Sequence, residues 1–144
     1  MAAQWAMMLL AGWSLISCSE STLTSAAMVV TALEKANEVD GLGAPSVEGS
    51  VVTVHYTAWL YDHFAVDHRG EQVMNSRDLN QPLEFVLGSG RVISGWEQGM
   101  LGMRAGGRRT LVVPAHLAYG ERGVAGVIPP NSALVLDVEL VRVH

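Results

Sequence analysis

From Ser50 the chain alternates. Val52, Val54 and Tyr56 fall on one side and Val51, Thr53 and His55 on the other, the period-two spacing of a half-buried strand. Leu83 to Leu87 predicts a second, short strand, and Arg109 to Val113 predicts a third that Pro114 stops. Ala133 to Val143 carries the clearest pattern: Leu134, Leu136, Val138 and Leu140 face one way, with Asp137 and Glu139 opposite. Val92 to Met100 breaks the alternation and predicts a short helix holding Trp96 between glycine turns. Upstream, Met28, Val29, Ala32, Leu33 and Ala36 recur at helical spacing, predicting a helix over 25–39 with Ser25 as its cap and Gly41 as its end. Its plainest role is a spacer. The polar run Tyr61 to Gln72 predicts a bulged or extended loop at a sheet edge, a length that loop-closure entropy tolerates. One helix against an antiparallel sheet is an α+β layer arrangement.

The length of 144 residues fits one compact domain with appendages. Glycine turns and many valines favour a sheet protein over a helical bundle. The net charge of -5 supplies no basic footprint for nucleic acid. Arg104, Arg108 and Arg109 do cluster, and they read as a solvated hairpin turn around Ala105-Gly106-Gly107. A single cysteine, Cys18, excludes an internal disulfide.

The position of that cysteine matters. Trp5 to Ile16 is almost unbroken apolar, too short to span a bilayer and suited to the centre of a secretory signal. Leu15-Ile16-Ser17-Cys18 resembles a bacterial lipobox, in which the cysteine carries the lipid; Met1 to Gln4 departs from the usual leader in having no Lys or Arg. Three readings stand: a lipoprotein leader, an ordinary signal and a buried N-terminal helix. The expectation is a leader over 1–17, a tether over 18–45 with Gly41 to Ser46 at the boundary, and a folded domain over 46–144. The chain would then sit on the bacterial cell envelope facing the periplasm, held to a membrane through Cys18.

Within the domain, Gly88 to Met100 runs Gly-Ser-Gly-Arg-Val-Ile-Ser-Gly-Trp-Glu-Gln-Gly-Met, followed by Ala118-Tyr119-Gly120 and Ile128-Pro129-Pro130. These blocks supply a small apolar cleft with aromatic walls. In their order, from about Val47 to Val143, the chain resembles the FKBP-type peptidyl-prolyl isomerases, the macrolide-binding immunophilins. The resemblance implies a curved antiparallel sheet wrapped around one short helix. It implies isomerisation of X-Pro bonds in proline-containing polypeptides, assisting exported proteins to fold, with no cofactor and no metal. It places Trp96 as the floor under the proline ring and Tyr56, Phe85, Val92, Ile93, Tyr119 and Leu136 along the walls. It assigns the Ile128 backbone N–H and the Tyr119 hydroxyl as donors to a substrate carbonyl.

The match breaks at Val73-Met74, where the family usually has Phe-Asp, and the arginine that pairs with that acid is replaced by Leu79. Losing both charges together strands neither. Leu83 and Leu136 stand where aromatics are common, which implies a wider pocket, while the loss of the acid and its arginine implies reduced turnover and weak macrolide binding. A peptide-binding module or chaperone on the same fold is the alternative. Two further chemistries have less support. Asp62-His63 and Asp67-His68 repeat at a spacing of five and read as a hydrated loop before a metal site, while His55, His116 and His144 are scattered. No Gly-x-Ser-x-Gly elbow is present.

Overall fold

The computed structural model describes residues 29–144; the leader, Cys18 and the start of the tether lie outside them. Among the described residues the elements follow in the order β1 (Glu34–Val39), β2 (Val51–Tyr61), β3 (Arg69–Asn75), β4 (Leu83–Val86), α1 (Ser94–Met100), β5 (Arg108–Val113) and β6 (Leu134–Val143), with a 3-10 turn at Ala115–Leu117 between the last two strands. The strands form one antiparallel sheet ordered β1-β5-β6-β2-β3, and β4 shares the edge of β2 with β3. No helix among the described residues is long and apolar enough to cross a membrane.

Alternation builds the core. Val52, Val54 and Ala58 of β2 meet Leu136, Val138 and Leu140 of β6, all at 2 % exposure or less. Where β2 reaches Val54 the register against β6 skips a residue, so Val52 faces Val143 rather than Arg142. That bulge keeps an apolar side chain inward and sends Arg142 to solvent.

The helix lies close on β5. A Cβ at Gly95 would overlap Val113, and one at Gly99 would overlap Leu111. Two glycines one turn apart therefore set the approach of α1, and with it the depth at which Trp96 sits.

Two expectations are corrected. Residues 34–39 are not the end of a helix but strand β1, paired with β5 from Glu34↔Val112 to Val39↔Arg108. From Glu34 to Val39 every side chain is exposed, so a helix there would have no face to bury, whereas the free edge of β5 offers a row of backbone partners. Ala36 pairs with Thr110 in that ladder, and the sheet therefore begins within the expected tether. The polar run after Leu60 likewise contains the start of β3. The intervening turn is closed by Asp62 N–H on His68 O at 2.9 Å, with His68 at a φ of 58°.

That turn spends its carboxylates on its own backbone. Asp62 Oδ1 accepts the Phe64 N–H at 2.9 Å, and Asp67 accepts both the N–H and the guanidinium of Arg69. Those bonds hold the Asp67 carboxyl below its ordinary value. The His63 and His68 rings stack at 6.4 Å, and among the described residues no three of His, Cys, Asp and Glu converge as a metal site.

Candidate functional site

The aromatic floor forms where α1 meets β2 and β4. Trp96, 6 % exposed, is met edge-on by Tyr56 at 4.7 Å and by Phe85 at 5.8 Å between ring centroids. Such T-shaped pairs favour a fixed ring orientation. The indole Nε1–H donates to Met100 Sδ at 3.0 Å, one turn along α1. Trp96 is thus held on three sides.

The buried cluster around this floor has a partly exposed rim, and the rim contains Tyr56, Val73, Met74, Leu83, Val92 and Ile93. The structure gathers these six predicted residues at the cluster's surface. Phe85 and Leu136 belong to its interior, at 3 % and 2 % exposure, so they back the wall rather than line it. Leu117, which the sequence reading passed over, joins the rim together with Ala118, beside Tyr119. A surface concavity of about 400 Å³ is lined by His55, Tyr56 and Glu139, and another of about 430 Å³ runs along Val124 to Pro130.

Tyr119 is half-buried. Burial raises its phenol above the ordinary value of 10.0, and Tyr56 nearby adds to the shift. The Tyr119 phenol is therefore a neutral donor near neutrality. Among the described residues neither hydroxyl has a hydrogen-bond partner, and Met74 offers only a thioether where an acid would accept one.

Ile128 requires a correction. Its N–H donates to Val124 O at 2.8 Å, and its carbonyl accepts from Val124 N at 2.8 Å. The pair closes the loop that follows Tyr119, and Ile128 is 3 % exposed. Its N–H is already spent. The loop is further tied by Gly123 N–H on Tyr119 O at 3.1 Å and Asn131 N–H on Gly120 O at 2.7 Å. Gly123, at a φ of 57°, leaves no room for a Cβ against Ile128 O.

Ile93 is a backbone donor left free at the rim. It precedes α1 with φ -59° and ψ 147°, its carbonyl accepts from Trp96 and Glu97 N–H, and it brings no capping side chain. Its own N–H has no acceptor among the described residues. Gly90 N–H donates to Glu97 Oε1 at 3.0 Å, which ties the loop carrying Val92 and Ile93 to the helix.

The opposite end of α1 is fully answered. Lys35 Nζ donates to Gln98 O at 2.9 Å, Arg109 Nη1 donates to Gly99 O at 2.6 Å and Leu101 O at 3.0 Å, and Ser46 Oγ donates to Met100 O at 2.6 Å. Arg109 is in turn aimed by Asn37 Oδ1, 2.6 Å from its Nε. The expected solvated role of Arg109 is therefore wrong: it is a half-buried clamp on the helix, and desolvation lowers its pKa. Its charge persists at neutral pH and suits the negative end of the helix dipole.

Residues 43–141 match the family described as FKBP-type peptidyl-prolyl cis-trans isomerase. The chain is 44 % identical over 105 residues to the FK506-binding protein of Neisseria meningitidis serogroup A, covering 73 % of this chain and 90 % of that one. It is 49 % identical over 98 residues to the peptidyl-prolyl cis-trans isomerase FPR2 of Saccharomyces cerevisiae, covering 68 % of each. Among solved structures it is similar to AtFKBP13, with a TM-score of 0.67 and 35 % identity over 76 % of this chain and 91 % of that one. It is also similar to FkpA from Escherichia coli, with a TM-score of 0.66 and 39 % identity over 77 % of this chain and 47 % of that one.

Proposed function

The chain belongs to the FKBP-type peptidyl-prolyl cis-trans isomerases, and from that premise we infer that its Trp96 cleft turns X-Pro amide bonds in folding polypeptides. The observation that carries this reading is the apolar floor itself: one indole, packed edge-on by Tyr56 and Phe85, with a rim of Val73, Met74, Leu83, Val92 and Ile93.

The chemistry needs no covalent step. The planar amide is stiffened by resonance, with a rotation barrier of about 18–20 kcal/mol. Resonance also makes the planar form more polar than the twisted one, so a dry, apolar floor disfavours the ground state more than the transition state. Uncatalysed X-Pro bonds turn over in roughly tens to hundreds of seconds. Reaching about 10 per second asks for roughly 3–4 kcal/mol of differential stabilisation. Desolvation over Trp96 and hydrogen bonds from the Ile93 N–H and the Tyr119 hydroxyl to a substrate carbonyl are of that size together. Ile93 takes the place first assigned to Ile128, because the Ile128 N–H is spent and the Ile93 N–H is not.

Val73 and Met74 favour a second reading, a peptide-binding module or chaperone with slow turnover. They leave the Tyr56 hydroxyl without an acid to hold it, and they widen the rim. Macrolide binding is expected to be weak on the same grounds. The membrane attachment belongs to the same proposal: lipidation at Cys18 holds the domain at the periplasmic face of a bacterial envelope, where its clients are exported chains. Mass spectrometry of the N-terminal peptide from membranes, showing an acylated Cys18 or an unmodified one, decides that part.

The activity test is cis-to-trans isomerisation of Leu-Pro and Phe-Pro peptides by the native chain beside Val73→Phe plus Met74→Asp. The expected result is native turnover within roughly tenfold of the double variant. Turnover by the double variant alone would leave the native chain a binding module. Absence of turnover in both, with both folded, would remove the cleft from the argument.

A further inference from the structure

Tyr56 sits where one edge of β2 changes partners. Residues 51–54 pair with β4 and residues 57–61 with β3, so His55 and Tyr56 have no strand beside them on that edge. Ser76, the residue after β3, fills the gap. Its N–H donates to Tyr56 O at 2.9 Å, and its Oγ accepts the Tyr56 N–H at 2.9 Å. Ser76 is 1 % exposed, so water does not compete for either bond. Its own carbonyl accepts the Gln81 N–H at 3.2 Å, which anchors it to the following turn.

Ser76 Oγ also lies 3.0 Å from His55 Nδ1. Oγ has a second lone pair and a proton beyond the bond from Tyr56, so it can bond His55 Nδ1 in either imidazole tautomer. A continuous path thus runs from the cleft wall at Tyr56, through Ser76, to His55 on the other face of the sheet. Meanwhile the hydroxyl end of Tyr56 is untethered, yet its ring stands 4.7 Å from Trp96. The tyrosine is held at its backbone end.

We propose that Ser76 is a positioning residue of the isomerase site, clamping both backbone groups of Tyr56 so that its ring stays against Trp96, with the His55 imidazole completing the clamp through its hydrogen bond to the serine hydroxyl. The assignment rests on the isomerase reading above, and the test separates the two.

The test is a double-mutant cycle, because a residue acting through Tyr56 has nothing to act on once that ring is gone. Ser76→Ala is made in the native chain and in Tyr56→Ala, and kcat/KM on a Leu-Pro peptide is measured well below each variant's thermal midpoint, so that only folded protein is compared. Ser76→Ala is expected to lower native kcat/KM roughly three- to tenfold, the scale of one lost positioning hydrogen bond, and to change Tyr56→Ala little. His55→Leu, which spares the buried serine, is expected to lower native kcat/KM roughly two- to threefold and again to change Tyr56→Ala little. Equal losses in both backgrounds would overturn the clamp, since they would mark a general structural role. An unchanged native rate in Ser76→Ala would overturn it as well, and an unchanged rate in His55→Leu would remove His55 from it. If the native chain turns over no proline peptide, the isomerase reading fails separately. The cycle is then read in the dissociation constant of the same peptide, where coupling supports the clamp and additivity overturns it.

Discussion

At its C-terminal end α1 presents the carbonyls of Gln98, Gly99, Met100 and Leu101 to Lys35, Ser46 and Arg109, donors from three separate segments. At its N-terminal end Ile93 brings no cap, and its N–H meets no acceptor among the described residues. A seven-residue helix is marginal by itself and needs tertiary contacts to persist. Here those contacts are concentrated at the end away from the donor loop. The end that faces the rim is left with hydrogen-bonding capacity to spare. Satisfied groups hold the far end of the helix that carries Trp96, and the proposed function uses the free Ile93 N–H at the near end.

The sharpest way to break this division is to push the helix off the sheet. Gly99→Val drives a side chain into Leu111 and is expected to cost about 2–3 kcal/mol, read as a lowered midpoint in urea. An unchanged midpoint would mean that α1 does not depend on glycine for its approach to β5.

Next comes the open end. The φ of -59° at Ile93 is already that of a proline, so Ile93→Pro removes the N–H with little backbone strain. Turnover is expected to fall ten- to thirtyfold, roughly the value of one buried donor. Ile93→Ala, which keeps the N–H, is the control. If the proline and alanine variants lose the same activity, the donor role of Ile93 is wrong.

At the closed end, Arg109→Met should cost about 1 kcal/mol of stability by leaving Gly99 and Leu101 carbonyls unanswered. The kcat/KM of the folded variant should stay within about twofold of native. A large loss of turnover without loss of stability would place Arg109 in the site rather than behind it.

The smallest effect is alkaline. The Tyr119 phenol is raised by burial first and by Tyr56 second, so the folded state retains its proton where the unfolded chain releases it. Its contribution is fully present below about pH 10 and is lost as pH rises through the raised value. Denaturant unfolding between pH 9 and 11.5 should show a shallower decline in Tyr119→Phe than in the native chain. Parallel declines would mean that Tyr119 is not what the alkaline limb reports.

Much of the fold was legible residue by residue. β2, β4, β5 and β6 announce themselves by alternation, and α1 by the glycines that bracket Trp96. β1 was misread because Ala32, Leu33 and Ala36 fit a helical period by chance, and because an edge strand with every side chain exposed carries no alternating signal. β3 was missed for the same reason: its first half is polar. In the site, the apolar positions were found because their order along the chain carries them. The donors were harder. A free N–H at Ile93 and a spent one at Ile128 look identical in a sequence, and Ser76 gives no signal that its hydroxyl reaches Tyr56.

The sequence by itself determined the family, the α+β sheet-and-helix arrangement and the apolar character of the cleft, because side-chain type and spacing are local properties that survive without coordinates. Only the tertiary structure decided which backbone groups are left over, that Arg109 grips the end of α1, and that Ser76 seals the seam of β2. Hydrogen bonds are made between segments far apart in the chain, and whether a donor is already satisfied depends on what the fold brings beside it.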